Sequence, residues 1–193
     1  MNLVFATHNA HKLEEVQKLL PAEVHLQSLA ALGHTTAIEE TGATLSANAW
    51  IKADAIFSQY HTDCFADDTG LEVKALGGAP GVYSARYAGA QANAQANIQK
   101  LLRAMEGQSN REAQFRTVIA LHFNGDRYTF EGVVKGQILE QPTGDGGFGY
   151  DPVFQPVGYT QSFAQLTLEE KNKISHRGLA MQKLAVFLLS QIR

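Results

Sequence analysis

The sequence lacks the residues that cross-link a protein or carry it into a membrane. One cysteine, Cys64, stands among 193 residues, so an intramolecular disulfide and a cysteine-rich metal site are both excluded. No apolar run approaches the roughly 20 residues that span a bilayer, and the chain opens on a strand-like run without the basic region of a signal peptide. We therefore expect a cytoplasmic protein with no membrane partner.

A surplus of positive charge is also missing. With 16 Lys+Arg against 19 Asp+Glu, the formal net charge is −3, so no basic surface is available for a nucleic-acid partner. Hydrophobic residues make up 45% and charged residues 18%, as in ordinary globular proteins. The length suits a single domain over 1–193, or two lobes sharing a cleft. The positive charge that a polyanionic ligand needs must then be local, from a metal ion or a few Lys and Arg residues.

Hydrophobic periodicity predicts strands and helices in alternation, which indicates an α/β protein. Strands are expected at 3–6, 24–29, 64–66 and 114–123, the last turning at Asn124-Gly125-Asp126 into a return strand. Helices are expected from about residue 12 to Pro21, at 44–60, at 90–107, and after a Ser175 cap. On the second helix Asn48 and Lys52 are four residues apart and share a face.

Two adjacent carboxylates, Asp67 and Asp68, follow the apolar run at 64–66. We expect a strand that delivers them to its C-terminal end, where ligand sites of open α/β sheets fall. Neighbouring strand residues point to opposite faces, so at most one of the two aims directly at a given metal. The alternative is that Asp68-Thr69-Gly70 is simply a turn.

Two earlier segments offer further polar groups. The first strand ends in polar residues that open a helix, a good anion site because helix N-termini present free N–H groups, and Lys12 adds charge there. The alternative is that Asn9 is only an N-cap and Lys12 is solvated. Glu39 and Glu40 either favour the N-terminus of the next helix or offer hard oxygen ligands to a magnesium ion.

Two later segments could hold a base and an anion. The glycine-rich loop from Gly144 to Pro152 carries Phe148 and Tyr150, either of which could stack on a planar base or lie in the core. Lys171, His176 and Arg177 surround the start of the last helix. Cations there oppose the helix dipole, which suggests an anionic ligand nearby.

Together these segments resemble the inosine triphosphate pyrophosphatase family, the noncanonical purine nucleoside triphosphate pyrophosphatases. The resemblance covers nearly the whole chain, and seven motifs in the right order make it highly specific. The matching segments are Thr7 to Lys12, Glu39 to Gly42, Asn48-Ala49 with Lys52-Ala53, Ala66 to Leu71, Gly77 to Arg86, Phe148 to Pro152, and Ile174 to Gly178.

The resemblance implies hydrolysis of ITP, dITP or XTP to the monophosphate and pyrophosphate, with a magnesium ion and a homodimer. The implied fold is an elongated mixed α/β sheet with flanking helices and two lobes enclosing a cleft. Glu39 and Asp68 would bind the metal, and Asp68 would also accept the proton of water. The implied substrate contacts are Thr7, His8, Asn9, Ala10, His11, Lys12, Lys52, Thr69, Phe148, Gly149, Tyr150, Asp151, Lys171, His176 and Arg177.

Three positions depart from the family pattern. Thr69 stands where serine is usual and keeps the hydroxyl. Ala47 stands where glutamate commonly precedes Asn48, which would leave Glu39, Glu40 and Asp68 as the metal-binding carboxylates. His8 stands where a small residue, often glycine, is usual. It would narrow the phosphate loop or add a contact of its own.

Two other functions fit the same residues. One is a metal-dependent phosphatase of another nucleotide or a sugar phosphate, which would release orthophosphate where the main hypothesis requires pyrophosphate. The other is a nucleotide-binding module without catalysis, which the alanine at position 47 keeps open. Turnover of ITP with magnesium, lost on Asp68→Asn, would exclude the second.

Overall fold

The structure, a computed structural model, describes residues 1–192 apart from the side chains of residues 10, 11, 14 and 15. Two of the implied substrate contacts, the side chains of Ala10 and His11, therefore lie outside the described residues. Six strands form one sheet: β1 Asn2–Phe5, β2 His25–Ser28, β3 Cys64–Val73, β4 Glu112–Phe123, β5 Asp126–Ile138 and β6 Phe154–Pro156. Five helices accompany them: α1 Ala10–Gln17, α2 Leu45–Tyr60, α3 Ala94–Ala104, α4 Leu168–Ile174 and α5 His176–Ile192.

The sheet has the strand order β2-β1-β3-β4-β5-β6. Strand β1 is parallel to β2 and to β3, whereas β5 and β6 are antiparallel. Strands β4 and β5 are joined by the predicted tight turn at Asn124-Gly125, both of which have positive φ. The prediction of a mixed α/β sheet with flanking helices is confirmed.

Local capping explains where most helices begin. The side chains of Asn9, Thr44, Asn93 and Thr167 each accept a hydrogen bond from a backbone N–H in the first turn of α1, α2, α3 and α4. The predicted Asn9 cap is thus confirmed, whereas α1 ends at Gln17, before Pro21. No helix among residues 1–192 is both long enough and apolar enough to cross a bilayer.

The chain divides into two compact units. Unit 1 comprises Met1–Asp68, Thr117–Gly132 and the chain from Leu179, and unit 2 comprises Thr69–Arg116 and Val133–Gly178. Each has its own core. That of unit 1 includes Leu3, Phe5, Phe65, Ile119, Leu121 and Leu184, and that of unit 2 includes Leu71, Val73, Leu101, Phe115, Phe154 and Phe163.

Strand β3 is longer than predicted. It continues through Asp67 and Asp68 to Val73, so neither the predicted strand end nor the alternative turn is found at this point. The reason is that apolar alternation resumes with Leu71 and Val73, which are fully buried and keep the chain extended. It is β1 that stops, at Phe5 opposite Phe65. The two aspartates therefore lie past the C-terminal end of their parallel neighbour.

Candidate active site

Charged side chains of unit 1 meet where β1 ends. We call Glu40, Asp67 and Asp68, with Lys12 and Lys52, the carboxylate cluster. The Lys12 ammonium donates to both carboxylate oxygens of Asp67, at 2.8 and 3.0 Å. The Lys52 ammonium donates to the Glu40 carboxylate and, at 2.7 Å, to the Asp67 carbonyl, and lies 3.9 Å from Asp68 Oδ1. The structure thus brings together side chains from α1, α2, β3 and the loop before α2.

Helix α2 positions this cluster from one face. Asn48, four residues before Lys52, lies beside the Asp68 carboxyl and lowers its pKa, and its Oδ1 accepts the Gly42 N–H at 2.7 Å. A Cβ on Gly42 would lie only 2.7 Å from the Ala47 Cβ, so glycine lets the segment at 39–42 approach the helix. The shared face predicted for Asn48 and Lys52 is confirmed.

Burial sets the protonation of Asp68. The pKa of its carboxyl is raised to about 6: desolvation by burial is the largest cause, Glu40 and Asp67 act in the same direction, and Lys52 and Asn48 act against it. A carboxyl with that pKa can hold and release a proton near neutral pH, as a general base must.

The cluster suits a cation that arrives with its own ligands. Among the described side chains, no three His, Cys, Asp or Glu residues form a ready-made metal site. After desolvation, which is the largest cause, the Glu40 charge also raises the pKa of Asp68, and a divalent cation would relieve the repulsion between the two carboxylates. Mg²⁺ is commonly held by one or two carboxylates together with substrate phosphates and water, so these residues fit it.

The two glutamates differ in placement. Glu40 is half-buried and pairs with Lys52, whereas Glu39 is exposed, and no described contact joins it to Asp68. The sequence could not separate the two because they are adjacent. The role implied for Glu39 as a metal ligand stays a prediction.

The segment before α1 is arranged around its cap. The Asn9 N–H donates to Thr7 Oγ1 at 3.2 Å, and Asn9 Oδ1 accepts the Lys12 N–H at 3.2 Å. Thr7 is half-buried, and His8 and Asn9 are exposed, so all three can be reached by a ligand. Thr69 is half-buried on β3.

A second cluster lies in unit 2. We call Phe148, Asp151, Lys171 and Arg177 the aromatic–cation cluster. Asp151 Oδ2 accepts from the Lys171 ammonium at 2.6 Å and from the Phe148 N–H at 2.7 Å. The Lys171 Nζ lies 4.6 Å, and the Arg177 Cζ 5.5 Å, from the centroid of the Phe148 ring. Both cations are within cation–π range of a ring that is still 55% exposed.

Phe148 and Tyr150 have separate roles. Tyr150 is 5% exposed, and its hydroxyl donates to the Ser84 carbonyl at 2.8 Å. Its ring therefore packs in the core of unit 2 and presents no open face to a base, and burial raises the pKa of its hydroxyl. The substrate contact implied for Tyr150 stays a prediction. Phe148 keeps an open surface on which a base can stack. Gly149, between them, has a positive φ that reverses the chain.

Two residues of unit 2 that contact predicted site residues were missed in the sequence. Phe115, on the strand predicted at 114–123, stacks on His176 with ring centroids 4.6 Å apart and 16° between planes. Gly147 has a positive φ, and a Cβ there would overlap the Asp151 carboxylate. The signal for Gly147 was present in the repeated glycines of the loop. That for Phe115 was not, because its partner is remote in sequence.

Comparison with known proteins identifies the family of this chain. The model of the Ham1 family matches residues 3–187. A dITP/XTP pyrophosphatase of Christiangramia forsetii is 53% identical over 97% of this chain and 99% of its own, and one of Flavobacterium johnsoniae is 52% identical over 95% and 96%. Among solved structures, a HAM1 protein of Coxiella burnetii has a TM-score of 0.93 and 41% identity over 98% of this chain and 99% of its own. The Staphylococcus aureus Ham1 protein has a TM-score of 0.92 and 38% identity over 99% and 100%. The chain therefore belongs to the Ham1 family, and the resemblance predicted from its motifs is confirmed.

Proposed function

We propose that this protein hydrolyses noncanonical purine nucleoside triphosphates, namely ITP, dITP and XTP, to the monophosphate and pyrophosphate. The observation that carries the proposal is Asp68, a buried carboxyl with a pKa of about 6 beside Lys52 and Glu40. Relatives about half identical over almost their full length are named for this activity, which supports the choice of substrate. The reaction would remove damaged nucleotides from the pool.

In this proposal Asp68 accepts a proton from the attacking water. Phosphoryl transfer asks little covalent chemistry of the protein and depends on positioning and charge neutralisation. The Lys52 ammonium contacts the Glu40 carboxylate, the Asp67 carbonyl and the Asp68 carboxyl. In the complex it would exchange some of these contacts for hydrogen bonds to phosphate oxygens. Lys12 and the segment from Thr7 to Asn9 would hold the rest of the triphosphate at the start of α1.

The cofactor proposed is Mg²⁺. Asp68 would be one ligand, and the second carboxylate would come from the Glu39-Glu40 pair, with substrate phosphates completing the shell. When bound, Mg²⁺ would neutralise phosphate charge and make water easier to deprotonate.

The base is assigned to the aromatic–cation cluster. Phe148 would stack on the purine, and Lys171 and Arg177 would favour the carbonyl at its six position over an amino group. Asp151 would act indirectly, by positioning Phe148 and Lys171, because its Oδ2 already accepts from the Phe148 N–H and from the Lys171 ammonium. His176, stacked on Phe115, stays a candidate donor to the base.

The remaining expectations belong to the same proposal. The chain would work as a single catalytic domain over 1–193, as a homodimer, in the cytoplasm, and without a nucleic-acid partner. The net charge of −3 is consistent with a small-molecule substrate.

A panel of nucleoside triphosphates tests this function. The protein is incubated with ITP, dITP, XTP, ATP and GTP in Mg²⁺, and monophosphate, pyrophosphate and orthophosphate are scored separately. We expect pyrophosphate and monophosphate from the first three substrates and little turnover of the last two. Release of orthophosphate alone would instead favour a phosphatase, and no turnover a binding module.

A further inference from the structure

One residue links the phosphate-binding segment to the segment that carries the glutamates. His8 lies between Thr7 and Asn9, in the segment that leads into α1. Its Nε2 lies 3.1 Å from the carbonyl oxygen of Thr36. A carbonyl only accepts, so Nε2 carries the proton and donates it to Thr36.

The ring of His8 makes a second contact with the same segment. It stacks on His34, with centroids 6.0 Å apart and 19° between the ring planes. His34 is itself fixed, because its Nδ1 lies 3.2 Å from the hydroxyl of Tyr60, the last residue of α2. Its backbone N–H donates to the Leu29 carbonyl at 2.9 Å. The His8 ring therefore rests on a residue anchored to α2 and to the end of β2.

These contacts complete the anchoring of residues 34–42. At the C-terminal end of that segment, the Gly42 N–H donates to Asn48 Oδ1 and the Glu40 carboxylate accepts from the Lys52 ammonium. At its N-terminal end, His34 Nδ1 is hydrogen-bonded to the Tyr60 hydroxyl and the Thr36 carbonyl accepts from His8 Nε2. A glycine at position 8 could supply neither the donor nor the ring, so this chain holds the N-terminal end more firmly than a sequence with glycine there.

We propose that His8 is a positioning residue that orders residues 34–42 and thereby couples phosphate binding at 7–12 to cation binding by Glu40 and Asp68. Its effect on catalysis rests on the function proposed above, whereas its effect on the segment does not. Coupling is reciprocal, so phosphate binding would strengthen cation binding by the same factor as the reverse. One neutral hydrogen bond corresponds to about a 2- to 10-fold effect.

The first test is hydrogen exchange on the ligand-free protein. In His8→Ala we expect the amides of residues 34–42 to exchange about 2- to 10-fold faster, with the amides of α2 unchanged. His8→Phe keeps a ring and loses the donor, and its exchange should lie between wild type and His8→Ala. His25→Ala, which removes an exposed histidine on β2, is the matched control. Wild-type exchange in His8→Ala would overturn the proposal.

The second test separates positioning from direct contact. With Mg²⁺ and ITP, His8→Ala should raise KM and the half-saturating Mg²⁺ concentration about 2- to 10-fold, with a smaller change in kcat. A raised KM without faster exchange at 34–42 would mean that His8 touches the substrate directly, and would overturn the positioning role. If the wild type does not hydrolyse ITP, the proposed function fails while the exchange result still decides the role of His8.

Discussion

The two clusters differ in the sign of charge they hold in excess. In unit 1 the carboxylate cluster sets three carboxylates against the two ammonium groups of Lys12 and Lys52. In unit 2 the aromatic–cation cluster sets Lys171 and Arg177 against one carboxylate, that of Asp151. Counted over these named side chains alone, negative charge is in excess in the first cluster and positive charge in the second.

This difference matches what each cluster would bind. A cation adds the charge that the first lacks, and a base with an electronegative carbonyl faces the cations of the second. Their solvent contact differs as well: Asp68 is buried with a raised pKa, whereas Phe148 is mostly exposed. The chemistry would thus rest on a buried acid and the recognition on an exposed ring.

The largest effect is expected from Asp68→Asn. An amide cannot accept the proton of water and is a poorer ligand for Mg²⁺, so turnover of ITP should fall by about 10²- to 10⁴-fold. Pyrophosphate release measures it, and thermal unfolding checks that the variant is folded. Asp145→Asn, in the exposed loop of unit 2, is the control. If Asp68→Asn kept a tenth of wild-type turnover, Asp68 would not be the base.

Phe148→Ala should act on recognition instead. Loss of one base–aromatic stack is worth about 1–3 kcal/mol, so kcat/KM for ITP should fall by about 10- to 100-fold, mainly through KM. Tyr159→Ala removes another partly exposed aromatic ring of unit 2 and should leave kcat/KM unchanged. Equal losses in the two variants would show that Phe148 has no special role.

Comparison of Glu40→Gln with Glu39→Gln tests which of the two glutamates is the Mg²⁺ ligand. Glu40 is the one whose charge reaches Asp68, so Glu40→Gln should raise the half-saturating Mg²⁺ concentration by about 10-fold or more. The measurement is ITP turnover against Mg²⁺ concentration. A larger effect from Glu39→Gln would confirm the prediction made from the motif and require the exposed side chain to turn inward.

Without a bound metal, the carboxylate cluster should also lower the free energy of unfolding at pH values above 6. The pKa of Asp68 is about 6 in the folded protein against an ordinary 3.8. The folded state thus holds this proton more tightly than the unfolded state. The contribution of Asp68 to the free energy of unfolding therefore falls by about 1–3 kcal/mol as pH rises from 4 to about 7, and is constant above.

Urea unfolding in EDTA tests this sign. Between pH 4 and pH 7 the free energy of unfolding of Asp68→Asn should rise relative to that of the wild type, because the amide does not titrate. A difference that stays the same, or moves the other way, would contradict the raised pKa.

The smallest effect is expected from Tyr150→Phe. It removes the buried hydrogen bond to the Ser84 carbonyl and should lower the free energy of unfolding by about 1 kcal/mol. Because the Tyr150 ring lies in the core, KM for ITP should stay within twofold of wild type. A raised KM at unchanged stability would restore Tyr150 as a substrate contact.

Features written in short stretches of sequence were predictable. The Asn9 cap, the turn at Asn124-Gly125 and the shared face of Asn48 and Lys52 each depend on residues within four positions, and all are found. The motifs also pointed to both clusters, because their order along the chain is itself specific.

Features that depend on remote partners were not predictable. Strand β3 runs through Asp-Thr-Gly, a sequence typical of turns, because burial of Leu71 outweighs local preference. The glycine loop has no periodicity to distinguish Phe148 from Tyr150. The pairing of Lys171 with Asp151 spans 20 residues and exists only once unit 2 is folded.

The early end of β1 is what leaves room for a ligand. The Ala6 N–H donates to the Phe65 carbonyl at 2.8 Å, and the next carbonyl on that side of β3 is that of Asp67. This carbonyl accepts a hydrogen bond from the Lys52 ammonium and not from a backbone N–H of β1. A β1 that continued by two residues would satisfy that carbonyl and fill the gap with main chain. In the proposed function, the early end of β1 would thus provide the space for the substrate, and the Lys52 ammonium takes the hydrogen-bonding position that a longer β1 would fill.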